Sequence, residues 1–305
     1  MIWPPVVRAG DMVRIVAPSG AVPAERLERG VRVLRRALEV DITFADNVAD
    51  QAGYFAGSDA ARIASLHEAF TAEGVRAIFC ARGGYGATRL LASLDPQRLR
   101  DHPRLLVGFS DITALACWAW VRAGVPSLHG PVVTQLSTLH PDHVQRMVDW
   151  VHGEVPAPLE ATEGAVIHGG TVEGTLVAGN LEVLRALIGT RYFPPLAGNI
   201  LALEEVGEQP YRIDRSLTQL LASGVLRGVR GVVIGQLRGC DPAAGAIGPT
   251  AAEVVHERLG TLGVPVATGF EFGHDDLHNA ALPFGAVVRL RADDCTLDFL
   301  EPIAR

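Results

Sequence analysis

Leu106-Val107-Gly108-Phe109-Ser110-Asp111-Ile112-Thr113 is an apolar run that stops at Gly-x-Ser and passes at once into the helical spacing of Ile112, Leu115, Ala116 and Ala119. A strand that turns sharply into a helix lifts the residue at the turn out of the sheet, which is how a serine hydroxyl is presented to a substrate. Ser110 is therefore the first candidate nucleophile. Ile112 stands where Gly-x-Ser-x-Gly has its second glycine, so the α/β-hydrolase elbow is only half matched. Capping of the helix by Ser110 or Asp111 explains the same residues without chemistry.

Working outward, the pattern is a regular alternation. Strands are expected at Met12–Ala17, Asp41–Phe44, Val75–Cys80 and Leu105–Val107. Helices are expected at Glu25–Leu38, from Ser58 through Phe70, at Ala87–Leu91, Ile112–Val121 and His143–Val151. Such alternation predicts a parallel sheet with helices on both faces and ligands at the carboxyl ends of its strands. Ser110 and the glycine-rich turn Arg82-Gly83-Gly84-Tyr85-Gly86 both fall at such ends. Beyond residue 152 Pro, Gly and Thr replace helix formers. This places a front domain over 1–152, a linker over 153–170 and a second domain over 171–305. The second part mixes helices (Leu181–Ile188, Ile213–Ala222, Ala251–Leu259) with strands (Asn199–Val206, Gly231–Leu237) and β-like stretches at Val264–Ala267, Ala286–Leu290 and Thr296–Leu300.

With 305 residues, 48% hydrophobic and 20% charged, the chain has the composition of an ordinary globular protein. No apolar run is long enough to span a bilayer, and Met1-Ile2-Trp3-Pro4-Pro5 has no secretory pattern, so a cytoplasmic location is expected. Cys80, Cys117, Cys240 and Cys295 are far apart with no Cys-x-x-Cys pair, as free thiols would be. A net charge of −7 without a block of Lys or Arg argues against nucleic acid or a membrane surface as partner.

A serine needs a base, usually a histidine held by a carboxylate. His67, His143, His152 and His256 read as solvated helix residues, and His102 and His140 as loop residues beside proline. His129 and His168, at turns, stay open. His274 follows an apolar segment and begins a loop, a position suited to a mobile catalytic side chain. Glu204 ends the apolar strand Ile200–Val206, where an ionised carboxylate needs compensation; Arg212 and Arg215 are candidates for it, and so is an imidazole. Glu205 competes with Glu204 for the role. The Gly83-Gly84-Tyr85-Gly86 turn offers backbone NH groups to an oxyanion or a phosphate, but matches neither a P-loop nor a dinucleotide fingerprint. No His/Asp/Glu cluster has metal-ligand spacing.

Taken together, Val16-Ala17-Pro18-Ser19-Gly20, Arg82-Gly83-Gly84-Tyr85-Gly86, Gly108-Phe109-Ser110-Asp111-Ile112-Thr113, Gly179-Asn180-Leu181, Leu203-Glu204-Glu205-Val206 with Pro210–Arg215, and Gly273-His274 with Leu282-Pro283-Phe284-Gly285 resemble, in order and spacing, the LD-carboxypeptidase family of serine peptidases. The family also includes the microcin C self-immunity peptidases. The likeness covers nearly the whole chain; Phe109 stands where the family often has Tyr, and Asp275–Asn279 is not matched closely. The resemblance implies a flavodoxin-like, class I glutamine amidotransferase-like α/β domain followed by a mixed α+β domain with a β-barrel-like core.

It further implies Ser110 as nucleophile, His274 as general base and acid, and Glu204 as the residue orienting it. The NH groups of Gly84 and Asp111 would form an oxyanion hole, with Gly83, Tyr85 and Asn180 near the substrate. No metal or cofactor is implied, and family habit admits a homodimer. The implied substrate is a small muropeptide, the murein tetrapeptide of cell-wall recycling, losing its terminal D-alanine. That reaction needs an arginine or NH pocket for the terminal carboxylate near Ser110. One rival is an immunity-type peptidase acting on peptidyl or aminoacyl nucleotide conjugates. It needs an aromatic to stack on the base, for which Trp118 and Trp120, expected in a core helix, give little support. A rival of another class is a non-catalytic two-domain ligand-binding protein.

Overall fold

The computed structural model of the chain describes residues 1–161, 163–243, 245 and 247–305. Its first half alternates β1 (Met12–Val16), α1 (Ala24–Leu38), β2 (Asp41–Phe44), α2 (Asp59–Thr71), β3 (Val75–Cys80), α3 (Pro96–Asp101), β4 (Leu105–Gly108), α4 (Thr113–Trp118), β5 (Ser127–His129) and α5 (Pro141–Val151). These strands lie side by side in the order β5-β4-β3-β1-β2, all parallel, the flavodoxin-like order. Every residue of β4, and every residue of β3 except Arg76, is buried. Strands covered by helices on both faces are apolar throughout rather than alternating. In α1 the buried Val31, Leu34 and Leu38 form one stripe and the charged residues face out. Ser58 starts α2 by accepting the Ala61 N–H at 3.1 Å.

The second half contains β6 (Leu159–Glu160), β7 (Val166–His168), β8 (Thr171–Asn180), α6 (Leu181–Ala186), β9 (Ile200–Val206), α7 (Pro210–Ala222), β10 (Gly231–Arg238), α8 (Ala251–Leu259), β11 (Val266–Ala267), β12 (Leu282–Phe284), β13 (Val287–Arg291) and β14 (Thr296–Phe299). Its sheet runs β6-β14-β13-β8-β9-β10-β11-β7, parallel from β8 to β11 and antiparallel on either side. It curls into a half-barrel. The segment expected as a linker thus carries β6 and β7. β12 stays packed against β8 but joins the front sheet, where it pairs antiparallel with β5, Leu282 opposite His129. The chain between β11 and β12, which holds His274, is thereby drawn across the carboxyl end of the front sheet.

Two helices differ from expectation. Residues 87–91 form only the short 3-10 turn Ala87–Arg89, whose first N–H, that of Ala87, donates to the Asp111 carboxylate at 2.8 Å. The helix expected from 112 to 121 is α4, buried along its whole length, followed by a wider π turn over Ala119–Ala123 that ends at the left-handed Gly124. α4 packs between β5 and the second-half elements α6 and β8. All four cysteines are free and buried. Among the described residues no helix is long and apolar enough to cross a membrane.

The two halves meet at Thr113, three residues after Ser110. The Asn180 N–H, at the end of β8, donates to Thr113 Oγ1 at 3.0 Å. A Cβ added to Gly179 would lie 2.4 Å from Thr113 Cγ2. Gly179→Ala is therefore expected to destabilise the protein by about 1–3 kcal/mol through overpacking. A lowered urea midpoint at unchanged slope checks this; an unchanged midpoint contradicts the tight seam.

Candidate active site

Ser110 has φ 62°, left-handed for a residue that is neither Gly nor Asn. That conformation costs about 1–2 kcal/mol, and it points the hydroxyl away from the sheet as the Gly-x-Ser pattern predicts. Gly83 lies against it: a Cβ there would come within 2.9 Å of Ser110 Cβ, so the glycine turn approaches the serine only because that side chain is missing. Both residues line a cleft of about 700 Å³ that also holds Gly84, Phe109 and His274.

The turn is tied to the serine loop by Asp111. Its buried carboxylate accepts from Ser19 Oγ at 2.6 Å and from the Ala87 N–H at 2.8 Å. Burial dominates and raises the Asp111 pKa, against the opposing pull of these two hydrogen bonds and of Arg62. Arg62 is fully buried behind the turn, donates to the Pro18 carbonyl and Asp59, and lies over the Phe55 ring. Among the described residues the backbone NH groups of Gly84 and Asp111 donate to no protein acceptor, which is the state an oxyanion hole requires before substrate arrives.

On the other wall His274 Nδ1 donates to Glu204 Oε2 at 2.6 Å. Glu204 is 0% exposed, and its Oε1 has no partner among the described residues. For His274, burial disfavours the charged ring. The hydrogen bond and charge of Glu204, with the charge of Glu205, outweigh it and hold the pKa above the ordinary value. With Nδ1 donating, Nε2 is left to the cleft. The compensation suggested for Glu204 by Arg212 and Arg215 is not what the structure holds. Arg212 pairs with Glu208 and Arg215 stacks over Tyr211; the partner of Glu204 is the imidazole. Strand alternation turns Glu205 to the opposite face. There it accepts from Asn180 Nδ2, the Val206 N–H and the Glu182 N–H, each at 2.8–2.9 Å, while burial pushes its pKa up to about 7.

Asn180, expected near the substrate, is buried; besides holding Glu205 it caps α6 by accepting the Val183 N–H. Tyr85 lies half exposed at the rim, 5.8 Å from the Tyr54 ring. His129 lies buried behind Phe109, where burial pushes its pKa down to about 4. His143, read as solvated, is 7% exposed because α5 packs it beneath Glu271.

The segment that His274 begins, expected as a loop, is heavily anchored. A bulge in β10 between Ile234 and Leu237 turns Gln236 onto it. Gln236 accepts the Asp275 N–H and donates to the His278 carbonyl, both at 2.8 Å. Gln135, from the front half, donates to the Asp275 carbonyl, and Asn279 Nδ2 donates to Gln135 Oε1. Phe109, next to Ser110, packs its ring 4.7 Å from that of His274. Ser19, Arg62, Gln135, Gln236 and Arg82 were not singled out from sequence. Only the Pro18-Ser19-Gly20 strand end and the position of Arg82 in the glycine motif hinted at any of them.

Residues 13–130 match the model of the LD-carboxypeptidase N-terminal domain and residues 173–290 that of its C-terminal domain. The chain belongs to the LD-carboxypeptidase family. A murein tetrapeptide carboxypeptidase of Pseudomonas aeruginosa is 33% identical to this LD-carboxypeptidase over 309 residues, 95% of each chain. The crystal structure of a muramoyltetrapeptide carboxypeptidase from Oxalobacter formigenes, 28% identical, matches with a TM-score of 0.84 over 95% of this chain and 99% of its own. The microcin C7 self immunity protein MccF matches with a TM-score of 0.90 over the whole of both chains at 20% identity and shares the fold. Membership makes the chain an enzyme and removes the reading as a non-catalytic binding protein.

An NMR titration of the histidine rings should place the His274 midpoint above 6.5. In Glu204→Gln it should fall, because burial stays and the charge goes. Equal midpoints in the two proteins would contradict the pairing.

Proposed function

We propose that this LD-carboxypeptidase is a serine peptidase that removes the terminal D-alanine from murein tetrapeptide by hydrolysing the bond between an L-configured centre and that residue, inside the cell. The observation that carries the reading is the hydrogen-bonded Glu204–His274 pair opening onto the same cleft as the left-handed Ser110. Ser110 Oγ attacks the scissile carbonyl carbon while His274 Nε2 takes its proton. Glu204 holds the Nδ1–H tautomer and stabilises the imidazolium. The oxyanion gathers hydrogen bonds from the NH groups of Gly84 and Asp111. Collapse expels the D-alanine amino group, which receives the proton from His274, and water then releases the acyl group by the same relay.

A carboxypeptidase must also hold a terminal carboxylate and reject longer chains. Arg82 supports this: it is exposed in the cleft beside Gly83 and steadied by donating to the Ala21 carbonyl. A charged hydrogen bond of this kind contributes about 1.5–3 kcal/mol. The division of labour also supports a two-domain reading, nucleophile over 1–152 and relay over 171–305, with neither part active alone.

Purified protein should release D-alanine from the tetrapeptide but not from the pentapeptide. Ser110→Ala should lower kcat by at least about a thousandfold with its melting temperature retained. Arg82→Ala should cost roughly tenfold to a hundredfold in kcat/KM. Because His274 must be neutral to accept the proton, kcat/KM should fall as pH drops through a midpoint above 6.5. Activity that persists in Ser110→Ala contradicts the mechanism. Turnover of an aminoacyl-nucleotide conjugate in place of tetrapeptide would transfer the same chemistry to the immunity-type substrate.

A further inference from the structure

Behind the His274 segment, away from the cleft that holds Ser110, a second polar cavity of about 360 Å³ is lined by His143, Glu271 and His278 among others. One ligand atom from each of these three side chains can be chosen so that all lie within 4.8 Å of one another. We propose that they form a binding site for a borderline divalent cation of the Zn²⁺ type, which fastens the His274-bearing segment to α5. His143 comes from α5 in the front half, whereas Glu271 and His278 stand three residues before and four residues after His274.

The spacing fits a tetrahedral ion. Two imidazoles bound to one ion through nitrogens about 2 Å away place their ring centres roughly 5 Å apart. The His143 and His278 rings are 5.3 Å apart and nearly perpendicular, at 77°. Two donor atoms on such an ion lie roughly 3.3 Å apart, and His143 Nε2 is 3.6 Å from Glu271 Oε2. The site also has outer support. His278 Nδ1 faces Asp275 Oδ1 at 3.3 Å, the carboxylate–imidazole contact that fixes a ligating ring and leaves Nε2 for the metal. Asp275 is itself held by the Leu277 and His278 N–H groups and by Arg238.

His143 is a rigid anchor with its side chain 9% exposed, while Glu271 and His278 at 47% and 40% have room to rotate inward and leave an entry path. The one cation facing the cavity among the described residues, Arg146, spends its guanidinium on the Ala157 and Pro158 carbonyls. Two imidazoles and one carboxylate favour Zn²⁺-like ions over Mg²⁺ or Ca²⁺, which take oxygen sets. Solvent supplies the fourth position. With ligands at 143, 271 and 278, the set has no sequence spacing by which it can be seen.

The test uses the full-length protein and reads metal binding directly, so it stands or falls separately from the peptidase mechanism. Co²⁺ titration should give visible absorption of a four-coordinate ion saturating at one equivalent, removed by Zn²⁺. Zn²⁺ should raise the melting temperature by roughly 4 °C at a hundredfold excess over Kd. Glu271→Gln and His278→Gln, both at half-exposed positions, should each weaken Co²⁺ binding at least about tenfold, and His143→Ala should abolish it. His274→Ala should bind as well as wild type. Absence of the Co²⁺ spectrum, its survival in the Glu271→Gln/His278→Gln double variant, or its loss in His274→Ala would each overturn the proposal.

Discussion

The hydrogen bond from the Asn180 backbone amide to Thr113 Oγ1 joins the end of β8 to the first turn of α4, and the site geometry depends on it. Thr113 fixes the helix that grows out of the Ser110 turn. Asn180 is paired in register with Glu204 on the next strand. One contact therefore sets the serine turn of one sheet against the acid-bearing strand of the other. Gly179 permits it by bringing no side chain to the seam. β12, by completing the front sheet beside β5, returns the chain across the same seam and delivers His274.

Electrostatics then divides the tasks of two adjacent carboxylates. Both are buried, and burial of an unpaired carboxylate is costly. Glu204 is offset by an imidazole, which leaves a proton acceptor facing the cleft. Glu205 is offset by two N–H donors at the start of α6, from Asn180 and Glu182, and by the Val206 N–H of its own strand, and becomes part of the frame. Asp111 follows the same logic, with a buried carboxylate tying the serine turn to the glycine turn through Ser19 and Ala87. Glu205 and Asp111 thus hold backbone segments in place beside the cleft, while among the described residues the backbone amides of Gly84 and Asp111 remain unmatched.

Much of this was legible in the sequence where the signal is local. The continuous apolar runs of β3 and β4 mark a covered parallel sheet, and Gly-x-Ser between strand and helix marks an exposed hydroxyl. Period-2 alternation separates Glu204 from Glu205 once the strand is known. What was not legible depends on contacts between distant segments. β12 is three residues long and reads as a loop until β5 pairs with it. His143 reads as a surface residue because burial by Glu271 and the 271–279 segment leaves no periodic trace. The partner of Glu204 lies 70 residues away, so its own stretch of sequence shows only arginines, and the choice of His274 comes from the family resemblance rather than from spacing. The supports at Gln135 and Gln236 belong to residue types that sequence pattern treats as ordinary surface.

The proposed chemistry requires Ser110 to be activated across the seam by an imidazole that Glu204 holds. The most direct measurement is the rate at which a fluorophosphonate labels the protein, with the modified residue identified by peptide mass spectrometry. Labelling should fall on Ser110 alone, slow as His274 is protonated at lower pH, and drop at least about a hundredfold in His274→Gln. Labelling at another residue, or a rate unchanged by His274→Gln, would contradict it.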